Sequence, residues 1–296
     1  MSPESPASPS SSVSVRALRD ETVALLARAG VPDPEVDAEL LIGHVLDVGR
    51  GRVQALVVMD STVAIADAER LRDLAARRAA REPLQHITGR APFRSLELNV
   101  GPGVFVPRPE TEQVAQFAID ALRAVPSPTP VAVDLGTGSG AIALALATEV
   151  PHARVYAVEN SPEAYIWARR NIDEVGAENL TPVFIDLADA LPELDGTVDV
   201  VISNPPYVPD DAIPRDPEVR LHDPHAALYG GPDGLDVVRT ISRVARRLLH
   251  PGGTLVLEHG ELQGAAIRAL LTSDGWRAAA THRDLTTRDR ATTALR

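Results

Sequence analysis

From residue 15 to about residue 81 the apolar positions recur at helical spacing: Leu18, Val23, Leu25 and Leu26, then Ala38, Leu40, Leu41, Val45 and Leu46. Each segment carries one apolar face, which predicts a small helical bundle. Pro32 and Pro34 separate its first two helices, residues 49–51 end the second, and residues 64–81 form a last helix with arginines outside. The period then changes. Leu96, Leu98 and Val100 alternate with polar residues, Gly101-Pro102-Gly103 turns the chain and residues 104–106 return, the pattern of a β-hairpin. After Pro109 a helix runs through Val114, Phe117, Ala118 and Leu122. From there short apolar runs at 131–135, 155–158, 182–185, 198–203 and 254–258 alternate with helices, and residues 276–280 and 290–295 supply a closing pair of strands. Wholly apolar strands alternating with helices predict an α/β fold with a doubly wound, mostly parallel sheet. The expected layout is a disordered Ser/Pro tail over 1–14, a helical domain over 15–82, a hairpin linker over 83–108 and the α/β domain over 109–296.

Composition narrows the chemistry. At 296 residues and 44% hydrophobic, the chain is long enough for one large core and one smaller one. A formal net charge of -12 opposes general binding to a polyanion, so direct nucleic-acid binding is disfavoured and a protein or small-molecule partner fits better. No cysteine is present, which removes thiolate nucleophiles and cysteine-rich zinc sites and points to a reducing compartment. All 29 basic residues are arginine, so Schiff-base chemistry and a Walker-type phosphate loop are excluded for want of an ammonium. The N-terminus has no apolar h-region, and no apolar run approaches the roughly 18 residues of a bilayer span. The expectation is a cytoplasmic monomer without a membrane partner.

The stretch V-A-V-D-L-G-T-G-S-G-A joins the first strand of the alternating region to its helix. Gly136, Gly138 and Gly140, with Thr137 and Ser139 between them, let the backbone turn sharply against a ligand. Glu159 ends the next strand, where a ribose of either NAD or S-adenosylmethionine would be held, and Gly136, Gly138 and Ala141 also satisfy a loose dinucleotide pattern. Two acids favour the sulfonium cofactor. Asp134 stands just before the glycines, near the path of its amino-acid half, and Asp186 ends the third strand, where it can accept from an adenine amino group.

The fourth strand runs into S-N-P-P-Y-V-P, which places Asn204 at the same carboxyl edge of the sheet. Pro205 and Pro206 offer no N–H, so the chain leaves the sheet stiff and rich in acceptors. The Asn204 side-chain oxygen and a backbone carbonyl of the Asn-Pro segment can each take one N–H of a planar NH₂ group, while Tyr207 lies on its flat face. Such a nitrogen is a weak nucleophile because its lone pair is delocalised. Two acceptors can orient it and favour positive charge developing on it, which suits methylation of an amide or an exocyclic amine. His86 and His259 read as structural, and His222 with His225 as too sparse for a metal site.

These stretches carry a resemblance. R-E-P-L-Q-H-I-T-G, F-V-P-R-P-E-T-E, D-L-G-T-G-S-G-A-I-A-L-A-L-A, S-N-P-P-Y-V, A-L-Y-G-G-P-D-G-L-D and L-E-H-G together resemble the HemK/PrmC-type family of glutamine side-chain methyltransferases. The resemblance implies a class I S-adenosylmethionine-dependent methyltransferase domain behind a helical substrate-recognition domain. It further implies methylation of the glutamine in the Gly-Gly-Gln loop of class I peptide-chain release factors, in support of translation termination. By the same resemblance the cofactor falls on Gly136, Thr137, Gly138, Ser139, Gly140, Glu159, Asp186, Leu187 and Asn204. The glutamine meets Asn204, Pro205, Pro206 and Tyr207, with Phe105 as a pocket wall. Catalysis rests on Asn204, Pro205 and Tyr207, and no metal is implied. Leu187 and Ala188 stand where the family often has an aromatic pair, and His222-Asp223-Pro224 replaces a more usual acidic-proline pair, a change that reads as neutral. Two other classes stay open: a methyltransferase of adenine N6 or guanine N2 in nucleic acid, and a dinucleotide-binding oxidoreductase.

Overall fold

The computed structural model describes residues 12–296, which divide after Gly89 into two compact units. The pattern-based boundary at residue 82 therefore falls one short helix early. Of the expected tail, residues 1–11 lie outside the described residues. Ser12–Ser14 form strand β1, which pairs antiparallel with β2 (Thr62–Ala64) and matches Val13 to Val63. Val13 is the reason: it packs on the bundle interior, and Ser14 then caps the first helix by accepting from the Ala17 N–H at 3.3 Å.

The first unit holds α1 (Val15–Arg28), α2 (Pro34–Leu46), α3 (Arg50–Val58), α4 (Ile65–Ala79) and α5 (Leu84–Thr88). Leu18, Leu26, Leu41, Ile42, Val53 and Leu71 form its interior. The periodicity does not anticipate α3, because that helix buries only Val53 and leaves Val58 and the following Met59 exposed. Glu39 is buried on α2, and Arg50 at 2.7 Å, Gln54 at 2.9 Å and Arg19 at 3.2 Å all donate to it. A buried carboxylate held by three donors ties α1, α2 and α3 together without a stranded charge.

The second unit opens with a hairpin of β3 (Arg90–Phe93) and β4 (Leu96–Asn99), in register Phe93 to Leu96. This corrects the expected hairpin. The turn is Arg94-Ser95, with Arg94 at φ 54°, and residues 101–106 form no strand. Their apolar residues serve packing instead: Val104 and Val106 are buried with Ala91, Val100 and Ala164. Gly101 is glycine because Trp167 lies across it, where a Cβ would come within 2.6 Å of the indole ring.

The rest is the doubly wound domain: α6 (Pro109–Ala124), β5 (Val131–Leu135), α7 (Ala141–Glu149), β6 (Arg154–Glu159), α8 (Pro162–Val175), β7 (Leu180–Phe184) and β8 (Val198–Ser203). Then follow α9 (Pro217–His222), α10 (His225–Leu228), α11 (Asp236–Leu248), β9 (Leu249–Glu258), α12 (Gly264–Ser273), β10 (Arg277–Arg283) and β11 (Asp289–Leu295). The seven strands lie in the order β10-β11-β9-β8-β5-β6-β7. All neighbours from β9 to β7 are parallel, and β11 is antiparallel to both β9 and β10. Period-2 alternation divides the core. Ala132, Val200, Ile202 and Val256 face α6 and α7, while Val133, Leu135, Leu255 and Leu257 face α11 and α12. Helix α11 shows why it lies there: Val238, Ile241, Val244, Ala245 and Leu248 make one apolar stripe, and Arg239, Arg243, Arg246 and Arg247 occupy the other side.

The chain runs outward from β5 through β6 to β7, then crosses to β8 on the other side of β5. The loops leaving β5 and β8 therefore part in opposite directions and open a crevice at the carboxyl edge, where open α/β sheets bind ligands.

Candidate active site

A cavity of about 580 Å³ occupies that crevice. It lies within the second unit and is walled by the loops after β5, β6 and β8, the start of α6, the α9–α10 segment and the ends of β9 and β11. Its size suits a cofactor together with a side chain.

The glycine loop forms one wall. Gly136, Gly138 and Gly140 have φ of 76°, 58° and 84°, conformations that favour glycine, and a Cβ at Gly136 or Gly138 would meet nothing within 4 Å. Bare backbone thus faces the cavity, a cradle suited to a ligand that must approach closely. Three buried side chains hold the loop. The Thr137 hydroxyl donates to Asp134 Oδ2 at 2.6 Å, and the Gly138 N–H donates to Glu159 Oε2 at 2.8 Å. Asn171, on α8, donates to the Ser139 carbonyl at 2.9 Å and accepts from the Asn99 N–H at 2.7 Å. One fully buried amide thereby joins the hairpin, α8 and the loop.

Glu159 lines the cavity, and its second oxygen accepts the Asn160 and Ser161 N–H groups, both at 2.9 Å. Asp134 does not reach the wall. It is fully buried beneath the loop, Oδ1 has no hydrogen-bond partner among the described residues, and burial pushes its carboxyl up to about 7 against the opposing hydroxyl of Thr137. Its task is to seat Thr137. Asp186 also stands off the wall: its exposed carboxylate accepts the Ala188 N–H at 2.9 Å and the Asn160 side chain at 3.1 Å. Leu187 and Asn160 are the wall residues there, and Asp186 meets the cavity only by holding the Asn160 side chain.

Asn204, Pro205, Pro206 and Tyr207 all line the same cavity as the glycines. The Ser203 hydroxyl donates to the Leu135 carbonyl at 2.6 Å, locking the end of β8 to the end of β5. The Tyr207 carbonyl accepts from Gln263 at 2.8 Å, and the Y-G-G-P-D-G-L stretch packs on the same backbone, where a Cβ at Gly230 would fall 2.5 Å from the Pro206 carbonyl. Burial, reinforced by the charge of Glu258, pushes the Tyr207 hydroxyl up to about 12. It stays a neutral phenol near pH 7 and is no general base.

Phe105 is on the wall, and the Arg108 guanidinium sits 5.0 Å from its ring centroid. Arg108 also donates to Asp223 at 2.7 Å, and the Asp223 side chain is completely covered. The His222-Asp223-Pro224 stretch is therefore not neutral: Asp223 anchors the α9–α10 segment to the residue that covers Phe105. Burial raises the Asp223 carboxyl even with Arg108 beside it.

Sequence reasoning missed Thr111 and Glu258. Thr111, in the first turn of α6, lies 3.4 Å from Asn204 Nδ2, and Glu258 ends β9; both are buried on the cavity wall. Burial pushes the Glu258 carboxyl up to about 7, with Thr111 and Arg290 opposing and Glu110 adding. The signal was present, since Glu258 is one more acid at the carboxyl end of a parallel strand, after those of β5, β6 and β7. His259, by contrast, is structural: its ring nitrogens meet Thr292 and the Gly260 carbonyl, both at 2.9 Å.

A doubly wound sheet with a glycine loop at its switch point, an acid ending the second strand and Asn-Pro-Pro-Tyr ending the fourth defines a class I S-adenosylmethionine-dependent methyltransferase. A methyltransferase from Pyrococcus furiosus has the same fold, with a TM-score of 0.50 at 21% identity over 68% of this chain and 89% of that one. Residues 17–89 match the family model of the PrmC N-terminal domain and residues 95–216 that of the methyltransferase small domain. The release factor glutamine methyltransferase of Streptomyces coelicolor is 52% identical over 91% of this chain and 93% of its own length. That of Bifidobacterium longum is 46% identical over 90% and 94%. The chain belongs to the release factor glutamine methyltransferase family. Among the described residues no helix is long and apolar enough to cross a membrane.

Proposed function

We propose that this chain methylates the side-chain amide nitrogen of the glutamine in the Gly-Gly-Gln loop of class I peptide-chain release factors. The observation that carries the reading is the placement of Asn204 and the donor-free Pro205-Pro206 backbone on the wall of the same cavity as the bare glycine loop. S-adenosylmethionine supplies a methyl group already activated on a positively charged sulfur. The glycine backbone and Glu159 would hold its ribose side, with Leu187 and Asn160 beyond. Asn204 Oδ1 and a carbonyl of the Asn-Pro segment each take one N–H of the substrate amide, which turns the nitrogen toward the methyl carbon. As the N–C bond forms and the methyl–sulfur bond breaks, its electron pair passing to the departing thioether of S-adenosylhomocysteine, positive charge grows on nitrogen, and both acceptors interact with it more strongly than in the ground state. One N–H proton then leaves to solvent or to a wall carboxylate.

The test is mass spectrometry of a class I release factor incubated with enzyme and cofactor. One added methyl on the Gly-Gly-Gln peptide, absent with Asn204→Ala, is the expected result. No methyl there, with incorporation into RNA or DNA instead, overturns the reading.

Glu159 gives a separate expectation. Glu159→Ala removes the ribose acceptor and also frees the Gly138 N–H. Loss of a charged acceptor costs about 1.5–3 kcal/mol, so cofactor Kd should rise roughly 10- to 100-fold by calorimetry. An unchanged Kd would remove Glu159 from the site.

A further inference from the structure

The register of β8 on β9 pairs Ser203 with Leu257, so Asn204 and Glu258 are the next residues along on neighbouring strands. Thr111 lies against both. Its Oγ1 accepts from Asn204 Nδ2 at 3.4 Å, and its hydroxyl acts on the Glu258 carboxyl in the sense that opposes burial, favouring the ionised form. Glu258 is 2% exposed and Thr111 4% exposed, both face the cavity, and Glu258 Oε2 has no hydrogen-bond partner among the described residues.

This arrangement answers a question that Asn204 poses by itself. A primary amide has an acceptor end and a donor end of nearly the same shape, and its neighbours decide which end faces where. If the amide turned over, its NH₂ would meet the substrate NH₂, donor against donor. Thr111 cannot prevent this alone, because a hydroxyl serves either end. A carboxylate can, because it only accepts. When Glu258 is ionised the single hydroxyl proton of Thr111 is committed to it, and Thr111 offers Asn204 nothing but a lone pair. Asn204 must then give Thr111 its N–H and keep Oδ1 for the cavity.

We propose that Glu258, acting through Thr111, is a positioning residue that fixes the direction of the Asn204 amide and so keeps its oxygen toward the substrate nitrogen. This rests on the reading of Asn204 as acceptor for the glutamine amide. Protonating Glu258 undoes the device: the acid can donate to Thr111, whose own proton becomes free for Asn204 Oδ1. The groups that act on Glu258 are Glu110 from α6, Arg290 from β11 and Tyr207 after β8. Tyr207, pushed up to about 12, remains a phenol across the neutral range. With Glu258 pushed up to about 7 by burial, the lock is set above that pH and released below it. Turnover therefore falls as pH falls through about 7, while cofactor binding does not follow.

The experiment measures kcat from about pH 5.5 to 9, with cofactor Kd alongside, for wild type, Glu258→Gln, Thr111→Val and Thr111→Ser. Thr111→Val should lower kcat roughly 10- to 100-fold with cofactor Kd changed less than about threefold, and Thr111→Ser should recover most of that loss. Glu258→Gln, which can donate or accept, should lose the acidic limb near pH 7 and lower the plateau roughly tenfold. A second readout needs no substrate. The side-chain NH₂ signal of Asn204, assigned by its loss in Asn204→Ala, should titrate in the cofactor-bound enzyme with a midpoint near 7 and stop titrating in Glu258→Gln. Wild-type kcat in Thr111→Val, or an NH₂ signal that titrates unchanged in Glu258→Gln, overturns the proposal. Failure of wild type to methylate a release factor overturns the substrate reading instead and leaves the NH₂ titration to decide this one.

Discussion

Asn204→Ala is expected to lower kcat by about 10²- to 10³-fold, the size of effect produced by removing one preorganised group that meets charge developing in a transition state. Cofactor Kd should stay within about threefold, because in the proposed reading the glycine backbone and Glu159 carry most of the hold on that ligand. The fold should survive as well. Asn204 is half-buried, and its one side-chain hydrogen bond among the described residues, to Thr111, is long at 3.4 Å. Single-turnover kinetics with cofactor titration separates the two quantities. A variant with near wild-type kcat would mean that the substrate nitrogen is held elsewhere, and Tyr207 could not take over, since a neutral phenol offers neither charge nor a fixed acceptor at that position.

Removal of the helical unit should be nearly as severe, but on one substrate only. A glutamine side chain is small and common to most proteins, so the pocket around Asn204 cannot choose one target among many. Discrimination needs a second surface that raises the effective concentration of the right loop, and docking of that kind is worth about 10²- to 10⁴-fold. A chain beginning at Arg90 keeps all three apolar clusters of the second unit and every residue of the cavity wall. It should bind S-adenosylmethionine and methylate a short Gly-Gly-Gln peptide at the rate of the full chain, yet act on an intact release factor at least about 100-fold more slowly. The measurement is a labelled-methyl assay on both substrates, with cofactor binding as the control for folding. Equal loss on both would assign the helices to stability, and no loss on either would remove them from the reaction.

The parallel sheet could be read from sequence because its strands are buried on both faces, and runs such as V-A-V-D-L and V-D-V-V-I leave few other solutions. Chain order then brings the glycine loop and Asn204 to one edge. Local pattern failed where an apolar residue serves packing and not pairing. Val104 and Val106 look like a returning strand, but they fill space beside Trp167, a partner more than sixty residues on that no local pattern contains. Val13 was hidden among serines for the same reason. Among the polar residues, Glu159 was legible from its place after a strand and a glycine loop. Asp134 was found but misplaced, since only the fold shows that it lies beneath the loop and not in front of it. Asp223 looked interchangeable until its contact with Arg108 appeared across more than a hundred residues. Thr111 belongs to a stretch whose resemblance was noted, yet its task exists only because α6 begins beside the ends of β8 and β9.

The position of β11 has a consequence for how this molecule comes to exist. Last of the seven strands in the chain, it lies inside the sheet between β9 and β10. It pairs Ala291 with Glu258 and carries Arg290 to the cavity. While the chain is being made, β9 is finished some thirty residues before its neighbour arrives, and its free edge must wait unpaired. A domain translated from its N-terminus can form the cofactor loop early, but the strand that closes β9 and steadies Glu258 comes only with residues 289–295. An interruption of synthesis, or a protease cut just ahead of Asp289, would therefore not yield a slightly shorter enzyme. It would yield a sheet with an adhesive seam beside the reaction chamber, fit for aggregation or degradation and unfit for turnover.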